Sequence, residues 1–75
     1  MLSVQQFSLY CIMVSVARNE FPSWREGQAY FNVLKDMHPE IADEIRGGLF
    51  DPFYDDDTVT AFIAELYTNY VIQEA

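Results

Sequence analysis

Three prolines and an adjacent pair of glycines divide this chain into four segments, and each segment carries apolar residues at the spacing of an α-helix. Proline lacks a backbone N–H and glycine favours the left-handed conformation that ends a helix, so helices are expected to begin or end at these positions. The apolar residues recur at i, i+3, i+4 and i+7, which is not the alternation of a strand. The chain is therefore predicted to be all-α, a compact bundle of about four short helices in one domain covering residues 1–75.

Local signals predict where these helices begin and end. Ser3 begins a Ser-x-x-Gln capping box before the first helix, and Ser23 begins a Ser-x-x-Glu box before the second. Pro39 suits the first turn of the third helix, and Gly47-Gly48 is typical of a helix end. The predicted helices lie near residues 4–19, 24–37, 40–46 and 58–72.

Such a short chain has room for one core, which must be dense for the domain to be stable. Hydrophobic residues make up 51% of the chain, which is too apolar for a disordered acidic protein. The predicted core takes one apolar stripe from each helix: Phe7, Cys11, Val14, Phe31, Leu34, Ile41, Ile45, Phe62, Ile63, Leu66 and Tyr70. Further apolar residues widen the surface of the first helix, as in a central helix or one that a partner covers. These residues are Leu9, Ile12, Met13 and Val16.

The sequence predicts a cytoplasmic protein without a membrane span. No apolar run approaches the roughly 18–20 residues that a span requires. The N-terminus lacks the basic region of a signal peptide. The single cysteine, Cys11, excludes an internal disulfide and a zinc site built on cysteines.

Candidate catalytic residues are few, so a non-enzymatic protein with no cofactor and no metal is predicted. His38 stands at a predicted helix junction, where a solvated or capping role is expected, and Cys11 lies mid-helix as a small apolar residue. Gly47-Gly48 lacks the Lys-Ser/Thr pair of a phosphate-binding loop. The aspartates, counted from Asp51 or from Asp55, do not fit the ligand spacing of an EF-hand.

The net charge of −8 is concentrated in residues 40–57, which hold seven acidic residues against Arg46 alone. A basic footprint is absent, so direct binding to nucleic acid is not expected. An acidic surface instead favours a basic protein partner or simple solubility. Asp56 or Asp57 is also predicted to cap the fourth helix.

Aromatic residues stand within this acidic segment, and two roles are open for them. Phe50, Phe53 and Tyr54 either seal the open end of the bundle or form an aromatic anchor ringed by carboxylates. The predicted partner-binding residues are Glu40, Asp43, Glu44, Asp51, Phe53, Tyr54, Asp55, Asp56 and Asp57.

One stretch of the chain resembles a pattern in small, mostly uncharacterised proteins of bacteriophages and bacterial genomes. The matching residues run from Trp24 to Leu34 (WREGQAYFNVL), followed by Pro39, Ile45-Arg46-Gly47 and Asp51-Pro52-Phe53-Tyr54-Asp55-Asp56. The resemblance covers about residues 20–70. It implies a phage or prophage setting, with the host cytoplasm as the location, and no role for any single residue.

Two functions are compatible with these features. The first is a phage-encoded modulator or inhibitor that binds a host protein through residues 40–57. By analogy with inhibitors of restriction or CRISPR systems, its carboxylates would stand where DNA phosphates lie. The second is a structural or self-associating module that forms a homodimer through helix 1.

Overall fold

The computed structural model describes residues 1–73 and consists of four α-helices connected by turns. The helices are α1 (Val4–Glu20), α2 (Glu26–Met37), α3 (Pro39–Ile45) and α4 (Val59–Tyr70), with a 3₁₀ turn at Asp56–Thr58. Residues 1–73 contain no strand, so the predicted all-α fold is confirmed. Helix α2 is the centre of the arrangement, because it packs against α1, α3, the 3₁₀ turn and α4.

The beginning of α1 is the predicted capping box. The Ser3 hydroxyl accepts a hydrogen bond from the Gln6 N–H at 3.0 Å, and the Gln6 side chain accepts one from the Ser3 N–H at 2.8 Å. The helix continues to Glu20, one residue beyond the predicted end. It stops there because Pro22 disfavours the helical conformation at Phe21.

The predicted beginning of α2 was wrong. Residue 23 lies in a turn, closed by a hydrogen bond from the Trp24 N–H to the Phe21 carbonyl at 3.0 Å, so Ser23 caps no helix. The backbone becomes extended at Arg25, and α2 begins at Glu26 rather than at residue 24. Gln28 reaches back to the Arg25 N–H at 3.4 Å.

Helix α3 begins at Pro39 and ends at Ile45, one residue earlier at each end than predicted. Gly47 follows with a φ of +76°, the left-handed conformation expected at a helix end. The prediction that the glycine pair stops this helix is therefore confirmed.

The fourth helix is shorter than predicted at both ends. Asp55 caps the 3₁₀ turn by accepting from the Asp57 N–H at 2.9 Å, so neither Asp56 nor Asp57 has the predicted capping role. At the other end the chain leaves α4 to pair with residue 2. Leu2 donates to the Tyr70 carbonyl at 2.7 Å and accepts from the Ile72 N–H at 2.8 Å.

Most of the predicted core is buried. Seven of its members are confirmed: Val14, Phe31, Leu34, Ile41, Ile45, Phe62 and Leu66. Four others are half-buried at the edge of the core rather than inside it: Phe7, Cys11, Ile63 and Tyr70. Tyr10 and Leu2 were not predicted, yet both are fully buried. Tyr10 is accommodated because its hydroxyl donates to the Tyr30 carbonyl at 2.6 Å.

Candidate interaction surfaces

The outer face of α1 carries an exposed apolar stripe. Its members are Leu9, Ile12, Met13 and Val16, with exposed fractions between 39% and 59%. We call these four residues the α1 stripe. Scattered exposed apolar residues are normal on a protein surface, but four at i, i+3, i+4 and i+7 form one continuous strip along the helix.

The geometry of α1 explains why the stripe is exposed. Tyr10 and Val14 face the core, and Ile12 lies two residues from each of them. Two residues on a helix are about 200° apart, so Ile12 points away from the core. The helix is therefore apolar on opposite sides, and only one side is covered within the domain.

Charge is also absent from this helix before its last turn. The first charged side chain of the whole protein is that of Arg18. Arg18 forms a salt bridge with Glu26 at 3.2 Å. The α1 stripe is thus an uncharged surface on a strongly acidic protein, which is the composition of an interface centre rather than of a solvated face.

Beside the stripe, a groove opens between α1 and α2. It has a volume of about 200 Å³ and an apolar floor that includes Val33 and Met37. Phe21 and Trp24 form one wall, where their rings stack at 4.4 Å with an interplanar angle of 17°. Within residues 1–73, Glu20 and Asp36 are the only charged residues of its lining. We call this cavity the α1–α2 groove.

The residues that line this groove share no pattern in the sequence that predicts it. Trp24 and Phe21 flank a proline turn, and Asp36 lies on the polar side of α2, so no local pattern connects them. Their proximity depends on the packing of α1 against α2.

Three of the predicted acidic site residues hold the loop between α3 and α4 together. Both oxygens of Asp51 accept backbone hydrogen bonds, from Gly47 at 2.7 Å and from Phe53 at 2.9 Å. Asp55 caps the 3₁₀ turn, and Asp56 accepts from the Gly27 N–H at 2.9 Å. These three carboxylates therefore hold the backbone of the loop in place.

The side chains of the other predicted acidic residues do not hold this loop together. Asp43 lies 3.5 Å from Arg46 one turn away, in an exposed pair of the kind that contributes little stability. Glu40, Glu44 and Asp57 are exposed, and their side chains form no hydrogen bond or salt bridge within residues 1–73. Because Glu40, Asp43 and Glu44 belong to α3, the structure places them on a different element from the aspartate-rich loop.

The aromatic residues of the loop have different environments. Phe53 is half-buried and packs edge-on against Phe31, with ring centroids 5.9 Å apart. Tyr54 is 83% exposed. Asp51, Phe53 and Tyr54 line one shallow cleft with Lys35 and Arg46. Phe53 therefore has the predicted role of sealing the bundle, whereas Tyr54 is the exposed aromatic residue of the predicted site.

Cys11 and His38, the two residues considered for catalysis, are both half-buried. Cys11 is half-buried, and burial raises the pKa of its thiol, so the reactive thiolate is disfavoured. The His38 carbonyl accepts from Ile41 and Ala42 at 3.1 Å, so its backbone begins α3. Its side chain is half-buried rather than solvated, and its Nε2 has no hydrogen-bond partner among the described residues.

Residues 1–73 contain no group of three or more His, Cys, Asp or Glu side chains placed to hold a metal ion. Over the same range, no helix has the length and apolar character needed to cross a membrane.

Neither a scan against protein-family models nor searches of the curated proteins and of the solved structures found a match to this chain.

Proposed function

We propose that this chain is a non-enzymatic helical interaction module that self-associates as a dimer through the α1 stripe. The observation that carries this proposal is the stripe itself, four apolar side chains that are 39–59% exposed on the side of α1 facing away from the core. Covering them with a second copy removes apolar surface from water, which is the main driving force of association.

The order of residues in α1 suits a two-fold, antiparallel pair. With the axis midway between Ile12 and Met13, each Ile12 opposes Met13 of the second copy, and each Leu9 opposes Val16. A two-fold interface uses the same patch on both chains, so the patch must be complementary to itself. The α1 stripe meets this condition because apolar residues oppose apolar residues along its length.

The charges of the protein are also compatible with an antiparallel pair of α1 helices. In the antiparallel pair, Glu20 of one copy approaches Gln5 in the first turn of the other α1, where the helix dipole favours a negative charge. The α1 stripe contains no charged side chain, so the pair creates no like-charged contact within the stripe. Four side chains that are 39–59% exposed offer less than the roughly 800 Å² per partner of a standard interface, so the expected dimer is weak and dissociates on dilution.

Sedimentation equilibrium tests the dimer. The wild type is expected to change from one chain to two as its concentration rises from about 1 μM to about 1 mM. Ile12→Glu, which places a charge in the centre of the stripe, should remain monomeric over this range. Ile72→Glu is the matched control, because Ile72 is also an isoleucine and is 49% exposed, but lies after α4. A monomeric wild type at the highest concentration contradicts the proposal.

A second candidate function is a phage-encoded modulator that binds a basic host protein through the acidic segment 40–57. The observation that favours it is the 83% exposed Tyr54, which stands next to the exposed Asp55. Asp51 and Asp55 are poor probes of charge, because both hold backbone amides. Asp57→Asn combined with Glu44→Gln removes two charges without removing a side-chain hydrogen bond within residues 1–73.

The test of this second function is a pull-down from host lysate followed by surface plasmon resonance at two salt concentrations. The double charge variant should slow association, because exposed charges act mainly by steering the encounter. Tyr54→Ala should speed dissociation, because it removes a packed anchor. Unchanged kinetics in both variants would exclude the acidic segment as the docking surface.

A further inference from the structure

We propose that the α1–α2 groove binds an arginine side chain presented by a partner protein. The groove shares Met13 and Val16 with the α1 stripe, whereas Leu9 and Ile12 do not line it. Binding of an arginine goes beyond self-association, since it requires a second protein and assigns a ligand chemistry to the groove.

The size of the groove limits the occupant. A volume of about 200 Å³ is smaller than the roughly 300–1,000 Å³ of pockets that hold cofactors or drug-sized molecules. It suits a single long side chain. The floor, which includes Val33 and Met37, would contact the methylene groups of such a side chain.

The charge of the groove selects a cation. Glu20 and Asp36 stand in the lining, and no lysine or arginine does. Both carboxylates belong to exposed residues, so they are hydrated and free to meet an incoming charge. The net charge of −8 adds a long-range attraction for basic segments.

The aromatic wall selects arginine over lysine. Phe21 and Trp24 are stacked nearly parallel, and Phe21 remains 45% exposed. A planar guanidinium group can lie flat on an aromatic ring while it donates hydrogen bonds to a carboxylate at its edge. A lysine ammonium lacks the flat surface that stacks.

The chain does not fill this groove with an arginine of its own. Arg18 is paired with Glu26 at 3.2 Å, and Arg25 donates to the Phe53 carbonyl. The Arg46 guanidinium lies over the Phe31 ring, 5.7 Å from its centroid. The three arginines of the sequence are therefore engaged elsewhere, which leaves the groove open to an external one.

The experiment uses the fluorescence of Trp24, the only tryptophan of the chain. The probes are the peptide acetyl-Leu-Arg-Leu-amide, its citrulline analogue, which has a neutral side chain of nearly the same shape, and its lysine analogue. The arginine peptide should give a saturable change that weakens as salt is added. Both analogues are expected to bind at least about threefold more weakly, a difference typical of an exposed cation–π contact.

Variants locate the site. Glu20→Gln with Asp36→Asn should weaken binding of the arginine peptide at least about threefold, whereas Glu65→Gln, on α4 and outside the groove lining, should not alter it. Shifts of the Met13 and Met37 methyl resonances provide a readout independent of Trp24. Equal binding of the citrulline or lysine peptide, an unchanged double variant, or no saturable change in either readout overturns the proposal.

The Ile12→Glu variant separates this proposal from the dimer. If the groove belongs to a single chain, this variant binds the arginine peptide as the wild type does, even though it does not self-associate. Loss of binding in Ile12→Glu would contradict a site contained in one chain. A monomeric wild type that binds the peptide would refute the dimer and support the groove.

Discussion

The Asp56 carboxylate accepts a hydrogen bond from the Gly27 N–H at 2.9 Å, although 29 residues separate the two in sequence. Gly27 lies in the first turn of α2, where backbone N–H groups have no acceptor within the helix. Arg25 approaches the same carboxylate oxygen at 3.8 Å. The loop before α4 therefore supplies the cap of α2 and is held against it.

Removal of this cap should destabilise the domain. We expect Asp56→Ala to lower the free energy of unfolding by about 1–2 kcal/mol, as for the loss of other N-terminal caps. Asp57→Asn is the control and should change it by less than about 0.5 kcal/mol, as expected for an exposed position. Urea denaturation followed by circular dichroism measures both. Equal stability of the two variants would show that the Asp56–Gly27 contact is not stabilising.

The close approach of the loop to α2 predicts an unusual response to alanine at Gly27. Glycine is the poorer helix former by about 1 kcal/mol, so helix propensity alone predicts a gain in stability for Gly27→Ala. A Cβ at this position would instead collide with the Pro52 carbonyl oxygen and lie 3.1 Å from the Asp56 carboxylate. We expect a loss of about 1–3 kcal/mol, as for other overpacked sites.

Ser15→Ala, on the exposed side of α1, is the control for helix propensity in the same urea experiment. It should be neutral or slightly stabilising, because alanine is the better helix former. If Gly27→Ala stabilises the protein as Ser15→Ala does, the close contact between Gly27 and Pro52 is wrong.

A buried and an exposed leucine together test which residues form the core. Leu66 on α4 is fully buried, whereas Leu49 is 91% exposed. Leu66→Ala should lower the free energy of unfolding by about 2–5 kcal/mol, because it removes buried apolar atoms and leaves a cavity. Leu49→Ala should have an effect below about 0.5 kcal/mol. A thermal melt of Leu66→Ala that matches the wild type would mean that the buried face of α4 is misassigned.

Stability at alkaline pH should depend on Tyr10. Burial, with smaller contributions from Cys11 and Tyr30, raises the pKa of Tyr10 far above its ordinary value. Below about pH 10, the ordinary tyrosine pKa, the phenol is protonated in both the folded and the unfolded chain. Above that pH the unfolded chain ionises first, so stability should fall as the pH rises.

Urea denaturation between pH 8 and pH 11 measures this decline. Tyr10→Phe should lose about 0.5–1.5 kcal/mol near neutral pH, because the hydrogen bond to the Tyr30 carbonyl disappears. Above pH 10, the free energy of unfolding of Tyr10→Phe should fall less than that of the wild type. It should not vanish, because burial also raises the pKa of Tyr30 and of Tyr70. An equal decline of the wild type and of Tyr10→Phe above pH 10 would contradict this role of Tyr10.

Features that depend on neighbouring residues could be predicted from the sequence. The Ser3–Gln6 capping box and the left-handed Gly47 need only residues within one turn, so their patterns were sufficient. The buried faces of α2 and α4 were also predictable, because polar residues separate the apolar positions on each helix. The apolar content of the chain then favours a single packed core.

Features that depend on residues far apart in sequence were decided only by the tertiary structure. Helix α1 is apolar on opposite sides, and periodicity placed Phe7, Cys11 and Val14 inward but did not identify Tyr10 as its fully buried residue. The buried face is the one on which the Tyr10 hydroxyl finds an acceptor in α2. Asp56 resembled a cap for the next helix, but packing brought its carboxylate to Gly27 instead. The physical reason is the same in both cases, since a polar group is satisfied by whichever partner the packed chain brings within hydrogen-bond distance.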